Sequence, residues 1–224
     1  MLVEFPVNGT RTRGYLAVPE SGGGPGVLVL QEWWGLVDHV KDVCDRLAEE
    51  GFTALAPDMY HGDCATDPDE AGRLMMALEV PRVAADLRGA IDYLRNHHAC
   101  GSARVATLGF CLGGQLALYG ACENAGSVGA CVNFYGVHPD IRPDVTKLDC
   151  PVLGIFAERD GFVTADVVAD LERRLTAAGT PHEFKTYDGV DHAFFNDTRQ
   201  DVHDPAAAQD AWDRTIAFLR SHLA

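Results

Sequence analysis

A cysteine stands between a strand-like run and a helix-like run near the middle of the chain. Residues 104–109 are apolar enough for a buried strand, and apolar residues return at helical spacing from Leu116. Glycines two residues to either side of Cys111 remove the Cβ atoms that would clash in a sharp turn. Such a turn lifts a nucleophile above a sheet and points the N–H of Leu112 at an oxyanion. The segment predicts a nucleophile elbow, the alternative being a buried cysteine beside a glycine-rich turn.

Two further residues could supply the base and the acid that a cysteine nucleophile needs. A base takes the thiol proton, and a carboxylate orients that base. Asp160 follows the apolar run at 152–157, and His192 follows the predicted strand at 182–187. Both therefore come at strand ends, where active sites form in parallel sheets. We predict Cys111, Asp160 and His192 as the catalytic residues. Glu158 is the alternative acid if Asp160 is only a turn residue, and His192 is otherwise a surface histidine.

Glu32 closes the fully apolar run at 27–30 and is followed by two tryptophans. A buried carboxylate costs free energy unless it is paired or functional. The position predicts either a functional carboxylate near Cys111, competing for the thiol proton, or a partly solvated loop residue. In the first case the N–H of Trp33 is a candidate second oxyanion donor.

The hydrophobic pattern predicts the elements that hold these residues. Strands are predicted over residues 2–7, 13–18, 27–30, 52–56, 104–109, 129–134, 152–157 and 182–187. Helices are predicted around residues 40–47, 83–94, 116–122, 167–175 and 205–223, with a loop and a short helix over 57–80. Asn8-Gly9 indicates a hairpin turn, and Asp204-Pro205 is typical of a helix start. Strands alternating with helices from residue 27 predict an α/β fold whose central sheet is mostly parallel.

Composition limits the class of protein. The 224 residues fit one domain spanning 1–224, and the net charge of −15 argues against nucleic acid or an anionic membrane as a partner. No apolar run approaches membrane-spanning length, and the first residues carry no basic leader. The seven cysteines are scattered and include no C-x-x-C, so a reducing cytoplasm is predicted, with most of the cysteines buried. The eight histidines other than His192 are predicted to be solvated, because they show no metal-ligand spacing.

On these residues the chain resembles the dienelactone hydrolase (carboxymethylenebutenolidase) family of the α/β-hydrolase superfamily. The matching segments are Gln31-Glu32 with Gly35, residues 56–60, residues 109–114, Tyr135-Gly136, Arg159-Asp160 and residues 191–194. The resemblance implies an α/β-hydrolase fold, and the stretch between Tyr135 and Cys150 is too short to form a cap domain. It implies a triad of Cys111, Asp160 and His192. It also implies that Glu32 holds the resting thiol and yields when substrate binds, with Leu112 and Trp33 as oxyanion donors.

The chain departs from this family at the arginines that anchor a substrate carboxylate. The resemblance places one arginine four residues after the catalytic histidine, where this chain has Asn196. The other falls among residues 70–82, where Arg73 is a loose match and Arg82 an alternative. Arg199 is a candidate replacement. A neutral amide lacks the charge-assisted fork of a guanidinium, so dienelactone itself is in question as a substrate.

Together these residues predict a hydrolase of a lactone or small carboxylic ester that works through an acyl-enzyme, without metal or organic cofactor. The alternatives are a general carboxylesterase or thioesterase, and a non-catalytic protein that binds through a reactive thiol. The partner is a small molecule, and the chain is expected to be a monomer or homodimer. A shallow pocket is predicted, walled by Trp33, Trp34, Tyr60, Phe110, Phe162 and Phe194, with Tyr135 as a further substrate-binding residue.

Overall fold

A computed structural model describes residues 1–7 and 9–223, so Asn8 of the predicted hairpin turn lies outside the described residues. Eight strands form one sheet in the order β1-β2-β4-β3-β5-β6-β7-β8. The strands are β1 Leu2–Val7, β2 Thr10–Ala17, β3 Gly26–Leu30, β4 Thr53–Pro57, β5 Val105–Phe110, β6 Val128–Phe134, β7 Val152–Ala157 and β8 His182–Tyr187. The pairs β1–β2 and β2–β4 are antiparallel, and every other neighbouring pair is parallel.

Helices cover both faces of the sheet. They are α1 Asp38–Glu49, α2 Pro68–Met76, α3 Val80–Asn96, α4 Leu112–Glu123, α5 Ala165–Ala178 and α6 Pro205–His222, with a 3₁₀ turn at Val145–Lys147. The apolar sides of α1 and α6 pack into the core of one face, and those of α3 and α4 into the core of the other. Because helices lie on both sides, β3, β5 and β6 are buried at every residue.

Local signals mark the start of α6, as predicted, and the end of α5. The carboxylate of Asp204 accepts a hydrogen bond from the N–H of Ala207 at 2.9 Å, and Pro205 begins α6. Helix α5 ends at Gly179, which has a left-handed φ of 71°. Only Leu175 of α5 is fully buried, because this helix covers the outer edge of the sheet beside β8. Val167, predicted on the apolar face, is 45% exposed.

The sheet brings the predicted functional residues to one edge. Glu32 follows β3, Cys111 follows β5, Tyr135 follows β6, Asp160 follows β7 and His192 follows β8. All five of these strands run parallel, so their carboxyl ends meet at the same side of the sheet. The predicted α/β fold with a mostly parallel sheet is confirmed, and no separate cap domain is present among residues 1–7 and 9–223.

Candidate active site

Cys111 occupies a strained turn between β5 and α4. Its φ of 53° and ψ of −120° lie outside the regions that non-glycine residues favour. Its N–H donates a hydrogen bond to the carbonyl of Phe134 at 3.0 Å. A Cβ on Gly109 would overlap the backbone of Gly113, and a Cβ on Gly113 would overlap the carbonyl of Leu30. The glycines flanking Cys111 therefore let α4 lie against the sheet and hold the turn sharp.

His192 and Asp160 form a short hydrogen bond at the same edge. Nδ1 of His192 lies 2.6 Å from Oδ2 of Asp160. Oδ1 of Asp160 accepts hydrogen bonds from the N–H groups of Phe162 and Val163, each at 2.8 Å. Glu158 is exposed and accepts from Gly189 N–H at 2.7 Å instead. The structure thus places Asp160 rather than Glu158 against the imidazole.

The pKa values of this pair move apart. Burial alone raises the pKa of Asp160, but the hydrogen bond and charge of His192 and the two backbone N–H groups outweigh burial and lower it. Burial lowers the pKa of His192, but the hydrogen bond to Asp160 and the adjacent Cys111 thiol raise it to about 10. Nε2 of His192 is buried and makes no hydrogen bond to any described residue. The imidazole is therefore held ready to carry a proton beside the thiol.

Cys111 and His192 open into one small cavity of about 80 Å³. Its lining residues are Glu32, Trp33, Trp34, Met75, Cys111, Val137, Phe162, His192, Ala193 and Arg199. Sequence analysis identified most of these residues but missed Met75, Val137 and Ala193. Ala193 adjoins His192 in the chain, whereas no motif marks the apolar side chains of Met75 and Val137.

Glu32 is buried in the lining of this cavity. The residue is only 3% exposed, which excludes the alternative of a partly solvated loop residue. Oε2 accepts a hydrogen bond from Nδ2 of Asn196 at 2.7 Å, and Oε1 has no hydrogen-bond partner among the described residues. Oδ1 of Asn196 accepts from Thr198 N–H at 3.0 Å and from its hydroxyl at 2.6 Å. These contacts turn the Asn196 amide toward Glu32, and Asn196 does not line the cavity.

The two candidate oxyanion donors lie on the segments that flank the thiol. The N–H of Leu112 belongs to the first turn of α4, where an amide has no partner within its own helix. Trp33 lines the cavity, and its N–H makes no hydrogen bond within the part of the chain that the structure describes. The hydroxyl of Tyr60 donates to the carbonyl of Trp33 at 3.2 Å and so fixes this loop.

Several aromatic residues that were predicted to line the cavity lie in the core instead. Tyr60, Phe110 and Phe194 are buried in the core and do not line the cavity, so this part of the prediction was wrong. Tyr135 is also fully buried, with a φ of 39° and its ring centroid 4.9 Å from that of His192. Phe162 does line the cavity, 64% exposed, with its ring edge-on to His192 at 5.3 Å.

The arginines divide between the cavity and the outer surface. Arg199 lines the cavity, with Nη2 2.6 Å from Oδ2 of Asp201. Arg73 on α2 and Arg82 on α3 are exposed and lie outside the cavity lining. Sequence spacing could not separate these cases, because it does not show which loops and helix faces border the cavity.

The prediction of solvated histidines fails at two positions. His39 is 3% exposed and His138 is 6% exposed. Nδ1 of His39 lies 3.5 Å from Oδ1 of Asp197, and its ring packs near Phe110 and Phe195. The aromatic contacts account for the burial of the His39 ring, although neither of its nitrogens makes a hydrogen bond to a described residue. Most of the other cysteines are buried, as predicted from the sequence. The buried free thiols are those of Cys44, Cys122, Cys131 and Cys150.

The sheet order, with a strained turn after β5 and a histidine after β8, defines an α/β hydrolase. The chain belongs to the dienelactone hydrolase family, whose sequence model, described as "Dienelactone hydrolase family", matches residues 12–223. It is a carboxymethylenebutenolidase-like hydrolase by this membership.

Named relatives cover nearly the whole chain. The chain is 41% identical over 228 residues to "Protein usf" of Aquifex pyrophilus, with 99% of this chain and 98% of the relative covered. It is 38% identical over 231 residues to a "Putative carboxymethylenebutenolidase" of Aquifex aeolicus, with the same coverage, 99% and 98%. The crystal structure of a "Putative Dienelactone Hydrolase" from Klebsiella pneumoniae superposes with a TM-score of 0.88 at 30% identity, covering 99% of both chains. None of the helices formed by the described residues has the length and apolar character needed to span a membrane.

Proposed function

We propose that the protein hydrolyses a lactone or a small carboxylic ester with Cys111 as nucleophile, His192 as proton carrier and Asp160 as orienting acid. The observation that carries this proposal is the hydrogen bond between His192 and Asp160 at 2.6 Å, beside a cysteine held in a strained turn. A buried thiol that served only packing would need neither group.

Acylation starts with transfer of the Cys111 thiol proton to Nε2 of His192. With that proton on the imidazole, the thiolate attacks the ester carbonyl and forms a C–S bond. The carbonyl oxygen takes up negative charge, which the N–H groups of Leu112 and Trp33 stabilise by hydrogen bonds. When the tetrahedral intermediate collapses, the C–O bond breaks and the imidazolium gives its proton to the leaving alkoxide. A thioester on Cys111 and a free alcohol, or the open form of a lactone, result.

Deacylation repeats these steps with water. Neutral His192 accepts a proton from a water molecule as that water attacks the thioester carbonyl. The C–S bond breaks, the acid leaves, and the proton returns to the Cys111–His192 pair. The hydrogen bond from Asp160 keeps the imidazole in one orientation through both halves of the cycle.

Glu32 is proposed to oppose the thiolate while the site is empty. Its carboxylate lines the same cavity as Cys111, and like charges disfavour each other. Asn196 holds Oε2 of Glu32 but is neutral, so the negative charge stays beside the thiol. A substrate that displaces or shields Glu32 then favours the reactive thiolate.

The cavity favours a small and largely apolar substrate. Trp33, Trp34, Met75 and Val137 provide apolar walls around a volume of about 80 Å³. Asn196 stands where the family resemblance implied an arginine, and it faces Glu32 rather than the cavity. These features also support the second candidate, a general carboxylesterase or thioesterase on the same triad. The cytoplasmic location, single domain and monomeric or homodimeric state predicted from sequence belong to the same proposal.

A substrate panel with trapping of the intermediate tests the proposal. Lactones, aryl esters and thioesters of matched acyl length are assayed, and the reaction is acid-quenched for intact-mass and peptide mass spectrometry. We expect turnover of lactones or small esters and an acyl group on the peptide containing Cys111. Faster turnover of thioesters would favour the second candidate. Labelling of Cys111 without release of acid would contradict both and point to a binding protein with a reactive thiol.

A further inference from the structure

His138 links two segments that line the cavity without carrying a proposed catalytic residue, namely helix α2 and the loop after β6. It lies on the loop after β6, next to Val137, which lines the cavity. Nε2 of His138 lies 3.1 Å from the carbonyl oxygen of Met75, the residue by which α2 lines the cavity. The histidine is 6% exposed, so this contact is made inside the protein, away from solvent.

The hydrogen bonds of His138 fix its tautomer. Nδ1 accepts from the N–H of Asp140 at 3.0 Å and from the N–H of Ile141 at 3.1 Å. A nitrogen that accepts from amides carries no proton, so in this arrangement the proton is on Nε2. Nε2 then donates a hydrogen bond to the carbonyl of Met75. The imidazole of His138 therefore stabilises its own loop through Nδ1 and holds α2 through Nε2.

The loop that carries His138 is tied firmly to the nucleophile turn. The N–H of Val137 donates to the carbonyl of Cys111 at 3.2 Å. Nε2 of Gln115, on α4, donates to the carbonyl of Ile141 at 2.7 Å. The loop on either side of His138 is thus anchored to the turn and helix that position the thiol, which makes it a fixed support.

Helix α2 has few other ties to the rest of the protein. Ala71 is the one fully buried residue of the helix. Among residues 1–7 and 9–223, the Met75–His138 contact is the one hydrogen bond that joins residues 68–76 to a distant segment. The carbonyl of Met75 lies in the last turn of the helix and accepts from the N–H of Leu78 at 3.3 Å, so His138 gives it a second and shorter hydrogen bond.

We propose that His138 is a positioning residue that sets the width of the cavity by holding Met75 of α2 at a fixed distance from Val137. The size of ester that fits would then be determined by this histidine, a claim that rests on the proposed hydrolase function. The link between α2 and the loop does not depend on that function, because it is a property of the fold.

Two substitutions test the roles of the two ring nitrogens of His138 separately. His138→Asn places a carboxamide oxygen where Nδ1 lies, so the loop amides keep an acceptor while Met75 loses its donor. His138→Gln reaches the Nε2 position with a donor for Met75. Met75→Ala is the matched control, because it shortens the wall side chain but keeps the carbonyl. Thermal unfolding of each variant confirms that it folds before comparison.

Hydrogen exchange of the α2 amides, followed by mass spectrometry, gives a readout that needs no catalysis. Loss of the net stabilisation that one such hydrogen bond provides should speed amide exchange over α2 by about two- to twelve-fold in His138→Asn. In His138→Gln, which keeps a donor for Met75, exchange should stay near the wild-type rate. Equal exchange in wild type and His138→Asn would overturn the proposal. Equal loss of protection in both variants would also overturn it, because the donor to Met75 would then be irrelevant.

Ester kinetics then test the consequence for specificity. We expect His138→Asn to change KM for a bulky acyl ester relative to acetyl ester by about two- to twelve-fold, with kcat for the small ester within about twofold. His138→Gln should restore the wild-type ratio. An unchanged ratio in His138→Asn would overturn the role in substrate size. If wild type hydrolyses none of the esters, the proposed function fails while the exchange measurement still decides whether His138 holds α2.

Discussion

Cys111 differs from the other six cysteines because its backbone is strained and its thiol faces a histidine. We expect Cys111→Ala to lower kcat/KM for ester hydrolysis by at least about a thousandfold, because members of a catalytic unit fail together. The fold should survive, since the change removes one sulfur at the cavity and no side-chain hydrogen bond. Cys122→Ala is the control, because that thiol is buried on α4 outside the cavity lining. Full activity in Cys111→Ala, measured against this control, would refute the assignment.

The pairing of His192 with Asp160 predicts a pH-dependent contribution to stability. The pKa of His192 is raised from 6.5 to about 10 in the folded protein. The stabilisation is therefore fully present below about pH 6.5 and is lost as the pH rises through the folded value. Asp160→Asn should lower the free energy of unfolding more at pH 6 than at pH 10 when measured by urea denaturation. Equal losses at the two pH values would show that the imidazole does not gain its proton from this pairing.

Glu32 predicts a shift in thiol reactivity. Removing its charge in Glu32→Gln favours the thiolate, so alkylation of Cys111 by iodoacetamide should reach its half-maximal rate at a lower pH than in wild type. The amide oxygen of glutamine can still accept from Asn196, which preserves the local packing. Glu158→Gln is the control carboxylate, because Glu158 is exposed and bonded to Gly189. Coinciding alkylation curves for Glu32→Gln and wild type would make Glu32 purely structural.

Arg199 predicts how the cavity responds to an anionic substrate. As the arginine that lines the cavity, it can make the charge-assisted contact that Asn196 cannot. We expect Arg199→Gln to lower kcat/KM for a carboxylate-bearing ester by about ten- to a hundredfold, with little change for its methyl ester. Arg73→Gln, an exposed change outside the cavity, is the control. Equal effects on both substrates would mean that Arg199 does not contact the carboxylate.

At the scale of elements, the close packing of α4 on the sheet predicts a severe effect of a single methyl group. A Cβ on Gly113 would overlap the carbonyl oxygen of Leu30, so Gly113→Ala should destabilise the protein by about 1–3 kcal/mol or more. Gly72 on α2 has open space around its Cβ position, and Gly72→Ala should stabilise by about 0.5–1 kcal/mol. Chemical denaturation of the two variants measures the contrast. Equal destabilisation would mean that the packing at Gly113 can relax.

The elements themselves were largely predictable because their signals are local. The continuous apolar runs at β3 and β7 and the Asp204-Pro205 start of α6 depend on neighbouring residues, and the structure confirms all three. Element ends differ by a few residues at β2 and at α1, α3 and α4, none of which has a side-chain cap at its start. The apolar face of α5 was overestimated at Val167, because a sequence pattern does not reveal that a helix covers only the edge of a sheet.

At the scale of the whole molecule, what sequence could not predict is which side chains share a space. The strand ends predicted a common edge for Cys111, Asp160 and His192, and the structure places them there. The Glu32–Asn196 hydrogen bond joins residues 164 positions apart, and no local pattern indicates it. The walls at Met75 and Val137 were missed for the same reason, since an apolar residue in a loop or short helix has many equivalent destinations.

The order of strands in the sheet also bears on how the site comes into being during synthesis. Cys111, the proposed nucleophile, follows β5 in the middle of the sheet, but His192 and Asn196 come only after β8 at its outer edge. During synthesis, Cys111 is therefore made well before His192, the proposed acceptor of its proton. Chains that stop short of residue 190 would carry Cys111 and Asp160 without His192, so the proposed triad is complete only after the last strand has been made.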